Sequence, residues 1–98
     1  MENDSILMAY YKKCKANLDS PIALDMCDTL FVRSEKAGNR RLMAIAKCLK
    51  LDYYYYKNDE ENILKSVKEA KLISRKYNQL KYYYFAWGSR LIIYYLKQ

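Results

Sequence analysis

Gly38-Asn39-Arg40-Arg41-Leu42-Met43-Ala44-Ile45-Ala46-Lys47-Cys48-Leu49-Lys50-Leu51-Asp52-Tyr53-Tyr54-Tyr55-Tyr56-Lys57-Asn58-Asp59 is the stretch on which the fold turns. Leu42, Ile45, Ala46, Leu49 and Tyr53 recur at helical spacing, so one apolar stripe runs down a helix from Arg40 to Tyr56. Ala44, Cys48, Leu51 and Tyr55 form a second stripe beside it. So wide an apolar arc belongs to a helix packed on two sides. Gly38 can take positive φ to end the preceding helix, and Asn39 can cap this one. Lys57-Asn58-Asp59 breaks it at the far end.

Outward from that helix, the same punctuation predicts four more. A first helix runs from Asp4 to Leu18, with Ile6, Tyr10, Cys14 and Leu18 along one face. In Asp19-Ser20-Pro21, Ser20 suits an N-cap and Pro21 the first helical position, whose N–H has no partner anyway. The second helix then continues through Ala23, Met26, Cys27, Leu30 and Ser34 to Ala37. The fourth opens with Asp59, Glu60 and Glu61, acids placed where the helix dipole favours them, and buries Ile63, Val67, Ala70, Ser74 and Tyr77. Asn78-Gln79 marks the next corner, and a fifth helix runs from Leu80 onward. Short connections make neighbouring helices antiparallel, so the expectation is an all-α chain of five antiparallel helices.

Composition agrees. Ninety-eight residues make one domain, 1–98, and 52% hydrophobic residues exclude a disordered chain. Two Gly and one Pro are too few for the turns of an all-β domain. His is absent, and with it the commonest general base and metal ligand. Gly-rich phosphate loops and paired-carboxylate motifs are also missing, so the expectation is a non-enzyme with no cofactor and no metal. Cys14, Cys27 and Cys48 form no Cys-x-x-Cys pair and fall on apolar stripes, where they read as small buried hydrophobes in a reducing cytoplasm. The longest apolar runs, 82–87 and 91–96, are far short of the ~20 residues that span a bilayer. Glu2 and Asp4 stand where a signal peptide would be basic.

Sliding the chain against itself by 40 residues pairs Leu24 with Leu64, Ser34 with Ser74, Ala46 with Ala86, Lys50 with Arg90, and Tyr54-Tyr55 with Tyr94-Tyr95. Asp19 meets Asp59, so both corners fall in register. The helices read as two and a half hairpins of one kind.

The Leu51…Tyr54-Tyr55…Asn58-Asp59 end of the third helix, followed by Ile63, Val67 and Ala70, resembles a tetratricopeptide-repeat (TPR) solenoid of bacterial regulators. Ala23, Cys27 and Leu30 stand at the matching places of the earlier helix. The usual first-helix Gly and closing Pro are missing and the period exceeds ~34 residues; a HEAT-like pair, with a period of ~40–47, is the alternative repeat. The resemblance implies a right-handed, TPR-like α-solenoid that serves as a protein-binding or relay module, within a longer bacterial sensory or regulatory protein.

The polar edge of the third helix reads Lys47, Lys50, Tyr54, Lys57, and forty residues later Trp87, Arg90, Tyr94, Lys97. Side by side, these lines would form a basic, aromatic groove for an acidic protein or peptide. Consecutive helical residues advance by ~100°, so at least one ring of Tyr53–Tyr56 must reach a second packing surface or solvent, and Tyr56 joins the candidate set. Gly88 marks either a close helix crossing or simple tolerance. The net charge of +7 has a rival use in nucleic-acid binding through Lys65, Lys68, Lys71, Arg75 and Lys76, although Glu61–Lys65 and Lys65–Glu69 offer ordinary four-residue ion pairs. A third reading is a structural unit that forms a homodimer through its apolar C-terminal helix.

Overall fold

The computed structural model describes residues 3–81, 83, 84, 87, 88 and 96. It contains α1 (Asp4–Ala16), α2 (Ala23–Lys36), α3 (Arg40–Tyr56) and α4 (Glu60–Lys76), with no strand among the described residues. The chain is all-α. The predicted fifth helix falls largely outside the described residues; Leu80, Lys81, Tyr83, Tyr84, Trp87, Gly88 and Leu96, which are described, have helical backbone.

Caps explain where the helices start. Asn3 Oδ1 accepts from Ile6 N at 2.9 Å, Asn39 Oδ1 from Leu42 N at 3.0 Å, and Asp59 Oδ1 from Asn62 N at 3.4 Å. Three of the stops share one construction. Gly38, Asn58 and Asn78 take φ of +70°, +54° and +61°. The next amide reaches back over the final turn: Asn39 N to Ser34 O at 2.8 Å, Asp59 N to Tyr54 O at 3.1 Å, Gln79 N to Ser74 O at 2.6 Å. A shorter bond accompanies each, from Gly38 N to Glu35 O, Asn58 N to Tyr55 O and Asn78 N to Arg75 O. These are Schellman caps, which satisfy the last carbonyls of each helix. They recur at every 20 residues, half the spacing seen in the sequence.

The first corner departs from the pattern. α1 ends at Ala16 rather than Leu18, and α2 starts at Ala23. Ser20 does not cap it: its Oγ accepts from Ile22 N at 3.3 Å, Ser20 N bonds Asn17 O, Ala23 N bonds Ser20 O, and the N-cap Ile22 makes no side-chain bond. Successive tight turns use the backbone groups that a helix beginning at Pro21 would need. Asp19 therefore does not match Asp59 in role; only Asp59 is a cap. At the other end the register holds, with α2 and α4 closing at Lys36 and Lys76.

Burial repeats as well. α2 buries Ala23, Met26, Cys27, Leu30 and Ser34; α4 buries Ile63, Ser66, Ala70 and Ser74, the same positions 40 residues on apart from Val67, which is half-buried. Cys14, Met26, Cys27, Leu30, Ala46 and Leu49 form one cluster between α1, α2 and α3. Cys48, Leu51, Ile63, Ala70, Tyr83 and Trp87 form another between α3, α4 and the residues after α4. The first stripe of α3 serves the first of these clusters through Ala46 and Leu49 and a third, with Leu7 of α1, through Leu42 and Ile45, while the second stripe serves the α4 cluster through Cys48 and Leu51. On α2 and α3, Phe31 lies against Lys47 and Asp28 against Lys50, so the two helices run antiparallel. α3 touches α1, α2 and α4, whereas α4 approaches neither α1 nor α2. Ala86, expected to share the surroundings of Ala46, lies outside the described residues.

Candidate functional site

The predicted basic edge of α3 does not face open solvent. Lys47 pairs with Glu69 of α4, and its Nζ lies 4.3 Å from the centre of the Phe31 ring on α2. Lys50 Nζ donates to Asp28 Oδ1 of α2 at 3.1 Å. Burial alone would lower the Lys50 pKa, but the hydrogen bond and charge of Asp28, with Glu69 and Tyr54 adding to them, leave it raised. Both cations point into the trough between α2 and α4, and each is matched by a carboxylate 22 residues away. They clamp α3 to its neighbours and are not displayed to a partner. Glu69 therefore serves Lys47 rather than Lys65, while Glu61 does pair with Lys65, at 3.2 Å.

Trp87 is corrected too. It is 1% exposed, in edge-to-face contact with Tyr55 at 5.3 Å between ring centres. A ring so enclosed fills the core and cannot anchor a groove. Tyr54 is half-buried against the same cluster. Arg90, Tyr94 and Lys97 lie outside the described residues.

Tyr56 and Lys57 do reach the surface. Tyr56 is 64% exposed, the ring of the tyrosine run that helical geometry sends outward. With Leu18, Asp19 and Tyr53 the two line a cavity of about 260 Å³ where the end of α3 meets the first corner. Lys57 Nζ sits 5.1 Å from the Tyr53 ring centre, an ordinary cation–π distance. The cavity has apolar walls and one charge of each sign at its rim, which suits an amphipathic side chain. A wider cavity of about 540 Å³ opens at the start of α3, lined by Asp4, Met8, Asn39, Arg40 and Leu42 among others. There Asp4 Oδ1 accepts from Asn39 Nδ2 at 2.9 Å, so a carboxylate of the chain itself faces that helix N-terminus.

The three thiols are buried and unpaired. Burial pushes Cys27 and Cys48 up to about 12; the charges of Cys14 and Asp28 add to the effect at Cys27, and that of Asp52 at Cys48. Cys14 is raised as well, chiefly by burial, and its Sγ lies 3.6 Å from Met26 O. Protonated, enclosed thiols are inert packing groups. Among the described residues no cluster of His, Cys, Asp or Glu could hold a metal ion, and no helix is long and apolar enough to cross a membrane. Among the described residues a Cβ built at Gly88 meets nothing within 4 Å, so none of their helices makes a close crossing there.

The sequence assigns Lys68, Lys71 and Arg75 of α4 only to the nucleic-acid reading and does not show the exposed apolar side chains beside them. On α4, Leu64, Lys68 and Arg75 are exposed at four- and seven-residue steps, Leu72 beside them is 65% exposed, and Lys71 Nζ lies 5.9 Å from the ring of Tyr84, itself 51% exposed. The signal is present as a line of cations punctuated by Leu, but only the packing shows which cations find carboxylates. Compared with protein-family models, curated proteins and solved structures, the chain matches none.

Proposed function

We propose that this chain is a protein-interaction module: a TPR-like, right-handed solenoid of two and a half helix hairpins, working in a cytoplasmic bacterial sensory or regulatory protein. Its partner is a protein or peptide held by shape and charge. The observation that carries this reading is the division of labour among ionisable groups. Lys47, Lys50, Asp28 and Glu69 are spent on joining helices, while exposed Leu, Tyr, Lys and Arg side chains occupy surfaces beside them. Mixed aromatic, aliphatic and cationic surface is what a protein interface uses. A rigid stack of hairpins, each leaning on its neighbour, is a platform for such a surface.

The test is a parallel titration by fluorescence anisotropy. One labelled ligand is an acidic amphipathic helical peptide of Leu, Ala and Glu; the other is a duplex DNA of random sequence. The expected result is saturable binding of the peptide, and duplex binding that is weak and vanishes as salt rises from about 50 to about 200 mM. Tight duplex binding with no peptide binding would replace this reading with nucleic-acid recognition. A melting temperature that climbs with protein concentration, with neither ligand bound, would make the chain a structural dimer.

A further inference from the structure

We infer that the exposed flank of α4, with Leu64, Lys68, Lys71 and Arg75 as its spine and Leu72 and Tyr84 beside it, is the docking surface for an acidic amphipathic helix of a partner protein. This deepens the interaction-module reading and rests on it. The key is the comparison of α4 with α2, whose buried positions it repeats. The corresponding line on α2 is Leu24, Asp28, Phe31 and Glu35. Inside the fold the middle of that line is in use: Asp28 binds Lys50 at 3.1 Å, and Phe31 lies 4.3 Å beneath the Lys47 ammonium, which also pairs with Glu69 of the next hairpin, while Glu35 is exposed. It is the flank on which α2 meets the next hairpin of the chain.

Forty residues later the charge is reversed. Lys68 stands for Asp28 and Arg75 for Glu35, with Lys71 in place of Phe31. Among the described residues none of these three cations has a carboxylate within 4 Å. Leu64, Leu72 and Tyr84 add exposed apolar area, and Lys81 and Lys76 extend the positive field. An apolar strip bordered by uncompensated cations fits a helix with Leu on one side and Glu flanking it: the strip is desolvated and the charges steer and orient.

A second copy fits poorly, because it carries +7 and would bring like charges to the same strip. The opposite end of the molecule shows what a closed surface looks like. Ser5, Ile6, Ala9 and Lys13 of α1 occupy the places of Ile45, Ala46, Leu49 and Tyr53 on α3, and all four are exposed. Three of the four are small or polar, and the exception, Ile6, is 50% exposed. At the α4 end, by contrast, Tyr84 is 51% exposed at the position where Ala44 of α3 is fully buried.

The test uses the full chain, the acidic Leu/Ala/Glu peptide and its twin with every Glu changed to Lys. The variants are Lys68→Glu with Arg75→Glu, and a control of equal charge change on α1, Lys12→Glu with Lys15→Glu. The α4 variant should lose at least tenfold in affinity for the acidic peptide and gain binding to the Lys twin. The α1 control should stay within about twofold, with unchanged circular dichroism in both. Equal loss in the two variants would overturn the proposal in favour of bulk charge. No loss in either would move the peptide to another surface, such as the Tyr56–Lys57 cavity, with the interaction reading intact. No binding by the unmodified chain would remove both. A dimer broken by Leu72→Ser would make a second copy the occupant, and duplex DNA binding lost with Lys68 and Arg75 would make it nucleic acid; either result overturns the proposal.

Discussion

Ser34 and Ser74 offer a sharp check on the packing. They are fully buried, occupy the same position of α2 and α4, and neither hydroxyl has a hydrogen-bond partner among the described residues. Their carbonyls accept the long Schellman bonds from Asn39 and Gln79, which a side-chain change leaves in place. A buried hydroxyl without a partner costs about 1–3 kcal/mol of desolvation. Changing Ser to Ala recovers that cost and adds a few tenths from helix propensity, less a small penalty for the oxygen-sized space left behind. The expected gain is about 1–2 kcal/mol for each of Ser34→Ala and Ser74→Ala. Because α2 and α4 do not approach each other, the double variant should gain the sum within about 0.5 kcal/mol. Urea titration followed by circular dichroism reads this directly: with a slope of about 1–2 kcal/mol/M, each midpoint rises by roughly 0.5–2 M at unchanged slope. A fall in midpoint on either substitution would refute the reasoning, since it would mean that the hydroxyl bonds a carbonyl of its own helix.

Three further outcomes rest on the backbone and the thiols. Asn58, at φ +54°, should lose about 1 kcal/mol on substitution by Ala and gain a few tenths on substitution by Gly, read as midpoint shifts; equal effects would argue against the left-handed cap. Gly88→Ala should raise the melting temperature, worth up to about 1 kcal/mol, because no described residue stands within 4 Å of the new methyl; a fall would reveal a close neighbour. Between an ordinary thiol value of 9.0 and the value of about 12 held by Cys27 and Cys48, the unfolded chain binds fewer protons than the folded one, so stability falls as pH rises through that window. The loss is at most about 1.4 kcal/mol per pH unit for each thiol. Urea midpoints at about pH 8 and pH 10.5 should converge more slowly on zero for a Cys27→Ala, Cys48→Ala variant, and identical pH slopes would contradict the assignment.

α3 is legible in the sequence because both ends carry strong local chemistry, Gly38-Asn39 at one and Asn58-Asp59 at the other, and its two stripes are unbroken. The same rules misplace the start of α2. Ser20-Pro21 has good capping chemistry, yet the turn from Asn17 to Ala23 satisfies those backbone groups another way. The recurrence of the caps at 20-residue spacing is hidden because the left-handed residue is Gly once and Asn twice, with Asn, Asp or Gln after it. The candidate site is less legible. Lys47, Lys50 and Lys68 look alike on a helical projection, and only the packing of α2 and α4 against α3 supplies Asp28 and Glu69 to the first two and, among the described residues, no carboxylate to the third. Trp87 looks like an edge residue because its counterpart is Lys47; the place Lys47 fills with an ion pair, Trp87 fills with a ring against Tyr55.

The most direct measurement is a ¹⁵N–¹H correlation spectrum recorded as the acidic peptide is added. The largest shift changes should map to Leu64, Lys68, Lys71, Leu72, Arg75 and Tyr84, with α1 unmoved. Changes confined to Tyr56, Lys57 and the first corner, or scattered over every exposed cation, would contradict the account.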